Sequence, residues 1–89
     1  MEDTLTPEVL QDDIAVSLAR SIAVANKRAQ ELGINLLQSL ITITEYYLHD
    51  NKFWRINYGP RDYVGRRGGD LIIEVDFQNA AINKVLWGQ

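Results

Sequence analysis

The chain has 89 residues and a formal net charge of −3. A chain of this length forms one domain that buries roughly 60–65% of its unfolded surface, enough for a layer of helix on a layer of sheet. Little is left over to wall a deep active site. With 46% hydrophobic and 24% charged residues it is not a disordered chain, and without cysteine it has no disulfide and no thiolate metal site.

The charge is uneven. Residues 1–50 carry −5, and residues 51–89, with six Lys and Arg, carry +2. An acidic total argues against general nucleic-acid binding, which needs many cations facing phosphate. The acidic start Met1-Glu2-Asp3-Thr4 does not resemble a secretory signal, and no apolar stretch is long enough to span a bilayer. The expected location is cytoplasmic, with no membrane association.

In chain order, residues 1–5 read as a frayed tail ahead of a single domain over 6–89. Thr6 is a good N-cap and Pro7 suits the first helical position, so a helix is predicted over 7–32. Leu10, Ile14, Leu18, Ile22, Ala25, Ala29 and Leu32 recur at spacings of three and four as its apolar stripe. Ala15, Ala19, Ala23, Ala25 and Ala29 let it lie close to a sheet. Gly33 follows as the C′ residue.

Residues 34–48 fit a helical face through Ile34, Leu37, Ile41 and Leu48, or a strand through Ile41, Ile43 and Tyr47. The β-branched run Ile41-Thr42-Ile43-Thr44 favours a strand over 40–48, with a second helix as the alternative. His49-Asp50-Asn51-Lys52 reads as a polar turn. Next comes a strand over 53–58, with Trp54, Ile56 and Tyr58 on one face and Arg55 and Asn57 on the other. A glycine-rich loop over 59–69 leads to a strand opened by Asp70, in which Leu71, Ile73 and Val75 face in and Glu74 and Asp76 face out. Residues 77–80 make a hairpin into a last strand over 81–87. The fold class is α+β: one long N-terminal helix on a four-stranded antiparallel sheet, in the order α-β-β-β-β. The uncovered sheet face is expected to carry Phe53, Ile72 and Leu86 or Trp87, a surface for a protein partner or for a homodimer.

This order, with Trp54-Arg55-Ile56 in one strand and Gly68-Gly69-Asp70-Leu71-Ile72-Ile73-Glu74-Val75-Asp76 leading through the next, resembles the cystatin-like group of folds. It is similar to PepSY-like domains in its Ala-rich helix, its Trp strand and its strand ending in Val-Asp. The hairpin here reads Gln78-Asn79-Ala80, where such domains usually carry Thr-Gly. It also resembles small bacterial immunity proteins of the nuclear-transport-factor-like fold, through Trp54, Gly68-Gly69 and Gly88. The resemblance implies a cystatin-like two-layer sandwich and a protein that regulates, inhibits or blocks another protein.

Among single features, the 59–69 loop carries Arg61, Arg66 and Arg67 among glycines, with Tyr63 between. Arginine forks and exposed backbone N–H groups suit an acidic partner or an anion; a solvated hairpin loop is the plainer reading. Trp87 is a candidate partner contact, and Trp54 reads as core. One histidine, His49, and no nucleophile elbow give no catalytic residues and no metal site. Glu45 shares the Ile41–Ile43 face and is either a desolvated base or a solvated edge carboxylate. No cofactor is expected. The leading reading is a non-catalytic protein-interaction module (inhibitor, immunity-type or regulatory protein); the alternative is a small-ligand binder or minor enzyme of cystatin-like fold.

Overall fold

The long helix is opened by Asp12 and not by Thr6. In the computed structural model, which describes residues 6–60 and 70–88, Asp12 is extended, with ψ of 111°. Its Oδ1 accepts from the N–H groups of Ile14 and Ala15 at 2.9 and 3.1 Å. That satisfies two of the donors every helix start leaves unpaired. The helix, α1, spans Asp13–Glu31. A short 3-10 turn, Val9–Gln11, precedes it, and the Thr6 hydroxyl accepts from Val9 N–H at 3.4 Å. The start predicted at Thr6-Pro7 is therefore misplaced: residues 7–12 lie ahead of the helix.

The far end of α1 closes as expected. Gly33 has φ of +94°, and the N–H groups of Gly33 and Ile34 reach back to the carbonyls of Gln30 and Ala29 at 3.0 and 2.9 Å. This is the paired bonding of a Schellman motif, which requires a left-handed residue at Gly33.

Four strands follow, β1 (Ser39–Leu48), β2 (Asn51–Pro60), β3 (Leu71–Asp76) and β4 (Ile82–Trp87). They form one antiparallel sheet in the order β1-β2-β3-β4. Residues 39–48 are strand throughout, so the helical alternative is set aside; a 3-10 turn, Leu36–Gln38, leads into them. The β1–β2 connection is two residues, His49 and Asp50, both at positive φ (53° and 66°). That is the type I′ turn, whose twist matches the flanking strands. Asn51 and Lys52 belong to β2, as do Gly59 and Pro60, which were expected in the loop. The remainder of that loop, residues 61–69, lies outside the described residues, as does the tail 1–5.

The helix packs chiefly on β2 and β3. Trp54, Ile56, Tyr58, Leu71, Ile73 and Val75 are buried beneath it with Ala25 and Ala29. The line of α1 closest to the sheet is Ser17, Ser21, Ala25 and Ala29, all buried and four residues apart; small side chains there permit close approach. Leu18, Ile22 and Leu32 pack at its flanks. Leu10 and Ile14, expected in the stripe, are exposed, because the first lies on the 3-10 turn and the second in the opening turn of the helix.

Two polar contacts tie the layers. Ser17 Oγ accepts from the indole Nε1 of Trp54 at 2.9 Å and donates to the Phe77 carbonyl at 2.7 Å. Tyr58 donates its hydroxyl to Asn26 Oδ1 at 2.7 Å. Among the described residues no helix is long and apolar enough to cross a membrane.

Candidate interaction surface

The antiparallel register sorts the side chains onto two faces, because residues directly opposite one another point the same way. The buried Trp54, Ile56 and Tyr58 stand opposite Glu45, Ile43 and Ile41 of β1, which places those three on the helix side. The other face carries Tyr46 opposite Phe53, and then two rows that cross the whole sheet. These are Thr44–Arg55–Glu74–Lys84 and Thr42–Asn57–Ile72–Leu86.

Glu74 is the centre of this helix-free face. Alternation predicts it to be solvated, yet it is 1% exposed. The correction follows from its cross-strand neighbours. Arg55, directly opposite on β2, donates from Nε at 3.1 Å and from its terminal nitrogen at 2.8 Å, both to Glu74 Oε2. Tyr46, two strands away, donates its hydroxyl to Oε1. The three side chains cover one another: the Arg55 guanidinium lies 5.0 Å from the Tyr46 ring centroid, and the Tyr46 ring stacks on Phe53 at 5.4 Å.

The electrostatics follow from this packing. Burial pushes the Glu74 carboxyl up, but hydrogen bonds from Tyr46 and Arg55, with the charges of Arg55 and Lys84, outweigh it and hold the group below its usual value. Burial, with the carboxylate of Glu74 beside it, pushes the Tyr46 phenol up to about 12. The cluster is therefore a carboxylate, a neutral phenol and a guanidinium across the physiological range. Arg55 stays half exposed, at 48% of its side chain. One row further, Asn57 donates to Asp70 at 2.8 Å. Leu40, Leu48 and Leu86 are exposed around the polar centre, with the buried Phe53 and half-buried Ile72 between them.

The candidates raised by sequence are placed as follows. Of the expected apolar residues, Phe53, Ile72 and Leu86 share this face. Trp87 does not: it stands opposite Leu71, on the helix side of β4, and is 58% exposed. Arg61, Tyr63, Arg66 and Arg67 lie outside the described residues. Glu45 is on the helix side, where it pairs with Lys52 at 2.9 Å and remains 41% exposed; that is the solvated edge carboxylate, not the desolvated base. The Glu45 hydrogen bond pushes the Lys52 ammonium pKa up, and the ammonium lies 4.2 Å from the Phe77 ring centroid. His49 is exposed in the type I′ turn, while Ser17 and Ser21 are buried under the helix. Among the described residues no group of three or more His, Asp or Glu side chains is placed to hold a metal ion. A shallow hollow of about 320 Å³ lies beside Ser17, Arg20 and Phe77.

Sequence reasoning placed Arg55 among the outward residues and raised it, with Arg61, Arg66 and Arg67, as a weaker nucleic-acid option; it missed Tyr46 and Glu74 as its partners. The missing signal is the register of three strands, which no local pattern carries. Comparison with protein families, with curated proteins and with solved structures finds no match.

Proposed function

We propose that this chain is a non-catalytic protein-interaction module, an inhibitor, immunity-type or regulatory protein, that docks a partner on the helix-free face of its sheet. The observation that carries the reading is Arg55, held at mid-face by Glu74 and Tyr46 with half of its side chain open to solvent. A side chain already fixed loses little freedom on binding, and Arg and Tyr dominate interface energetics.

The neighbouring charges indicate the partner's chemistry. Arg55 and Lys84 are the cations of this face, beside the carboxylates of Asp70 and Asp76, and the half-open Arg55 fork suits a partner carboxylate. Arg61, Arg66 and Arg67, with Tyr63, belong to the same reading: they follow Pro60 at the end of β2 and precede Asp70, adding positive charge to this half of the chain. The α-β-β-β-β order supports a cystatin-like, PepSY-like assignment.

The test is capture from a lysate of the source cells with tagged wild type, Arg55→Ala and an Arg61/Arg66/Arg67→Ala variant, followed by affinity measurement on the retained protein. Arg55→Ala is expected to weaken binding about tenfold or more and also to lower the melting temperature, because buried Glu74 loses two hydrogen bonds, so affinities are compared at a temperature where both proteins are folded. Equal affinity of wild type and Arg55→Ala removes this face as the docking surface. A metabolite that raises the melting temperature, with no protein retained, replaces the reading with a small-ligand binder.

A further inference from the structure

The sheet has two edges, and they are built differently. β4 is six residues long, carries Asn83 and Lys84, and pairs with β3 through an irregularity at Glu74/Val75. Short length, charge and bulges are the devices that keep an edge from pairing with another chain. β1 has neither the shortness nor the bulge. It is ten residues long in unbroken register with β2. Its sequence, Ser-Leu-Ile-Thr-Ile-Thr-Glu-Tyr-Tyr-Leu, holds no proline and no lysine. Its single charge, Glu45, is already paired with Lys52. Leu40, Ile43, Tyr47 and Leu48 are exposed along it, and among the described residues no strand pairs with its outer side.

The ladder fixes which backbone groups that edge offers. A two-residue type I′ turn closes on a hydrogen-bonded pair, here Leu48 with Asn51. Alternation then points the N–H and C=O groups of Leu40, Thr42, Thr44, Tyr46 and Leu48 toward β2. Those of Ile41, Ile43, Glu45 and Tyr47 face outward. The 3.1 Å bond from Phe77 N–H to the Lys52 carbonyl agrees, since it turns the even-numbered residues of β2 away from β1.

We propose that two copies of the chain join edge to edge through β1, antiparallel about a two-fold axis at Thr44, so that their four-stranded sheets become one continuous sheet. This goes beyond the docking reading above and is tested independently of it. A two-fold axis perpendicular to the sheet keeps each face continuous, so opposed residues must come from the same face. With the axis at Thr44, Leu40 meets Leu48 of the second copy and Ile41 meets its Tyr47. Thr44 meets its own counterpart. Positions 40–48 all pair, over about 31 Å at ~3.4 Å per residue. The exposed leucines at the two ends of the strand cover one another, and each Glu45 keeps its Lys52. A single strand pair lies at the lower end of the area that specific interfaces bury, about 1,000–1,200 Å², so a micromolar dimer is expected.

The test uses the full chain. Sedimentation equilibrium from micromolar to near-millimolar concentration is expected to show the mass rising from 10.1 kDa toward twice that value. The chain has no native cysteine, which allows single-cysteine probes. Two Thr44 positions facing each other as a non-hydrogen-bonded pair stand about 4.5 Å apart at Cα, within disulfide range. Thr44→Cys is therefore expected to give a disulfide dimer under mild oxidation, and Asn83→Cys on the opposite edge to stay monomeric. Ile43→Pro removes an outward N–H without touching the bonds to β2; it is expected to be a monomer whose circular dichroism matches wild type. A constant monomer mass overturns the proposal, as does equal cross-linking of the Thr44→Cys and Asn83→Cys variants. Cross-linking of Ile43→Cys in preference to Thr44→Cys overturns the register.

Discussion

The hydroxyl of Ser17 stands between Trp54 and the carbonyl of Phe77, accepting at 2.9 Å and donating at 2.7 Å, and thereby joins helix, second strand and hairpin in one bond chain. One turn on, Ser21 is fully buried and its hydroxyl has no hydrogen-bond partner among the described residues. The same substitution at the two sites should have opposite signs. Ser17→Ala leaves a buried indole N–H unpaired and should destabilise by about 2 kcal/mol. Ser21→Ala removes an unsatisfied hydroxyl and adds helix propensity, and should stabilise by about 1 kcal/mol. Denaturant midpoints read both, and Trp54 emission should report the first.

Glu74 makes stability depend on acid. Its folded pKa lies below its unfolded value, so its contribution is present above the unfolded pKa and is lost as pH falls through the folded one. Wild type should therefore lose stability on acidification from about pH 5 downward, and Glu74→Gln should flatten that limb. At neutral pH Glu74→Ala should cost about 2 kcal/mol, since Tyr46 and Arg55 both lose their acceptor. Melting temperatures across the pH range check both statements.

At the alkaline end, the Tyr46 phenol is pushed up to about 12 and burial pushes Tyr58 up as well. For Tyr46 the sign is the reverse of Glu74: its contribution is whole below the unfolded pKa near 10 and disappears as pH rises toward 12. Absorbance at the phenolate band should show both rings ionising late. Tyr46→Phe should remove one late step and cost about 1 kcal/mol at neutral pH.

Two turn positions give a matched pair of backbone tests. Gly33 has φ of +94° with open space where a Cβ would lie, so Gly33→Ala should cost about 1 kcal/mol by backbone strain alone. Ala80, at φ of +57°, already bears that strain. Ala80→Gly should stabilise by about 0.5 kcal/mol, the relief being partly offset by the greater freedom of an unfolded glycine. Thermal melts separate the two.

Much of the architecture was legible because local chemistry agrees with it. The β-branched run Ile41–Thr44 marked a strand, Trp54-Ile56-Tyr58 and Leu71-Ile73-Val75 marked the two central strands' buried faces, and Gly33 marked the helix end. The helix start was misplaced because Thr6-Pro7 and Asp12 are both sound caps, and only the extended backbone of Asp12 decides between them. Burial of Glu74 was out of reach. Alternation says which face a side chain takes, but not that Tyr46 and Arg55, 28 and 19 residues away in sequence, will fold over it. The arginine-rich segment that drew notice in the sequence lies outside the described residues, while Arg55 takes its place at mid-face from Glu74 and Tyr46, partners that only the register of three strands brings to it.

Every strand in this sheet pairs with its neighbour in the chain, and two of the connections are tight turns. Sheet formation therefore closes mostly short loops, which is the condition for rapid folding. The helix gains its anchor only when Ser17 meets Trp54, 37 residues away. The expected slow event is the docking of the helix on the sheet, and a folding rate that responds to Ser17→Ala and Ala25→Gly more than to changes in the hairpin turns is the measurement that checks it.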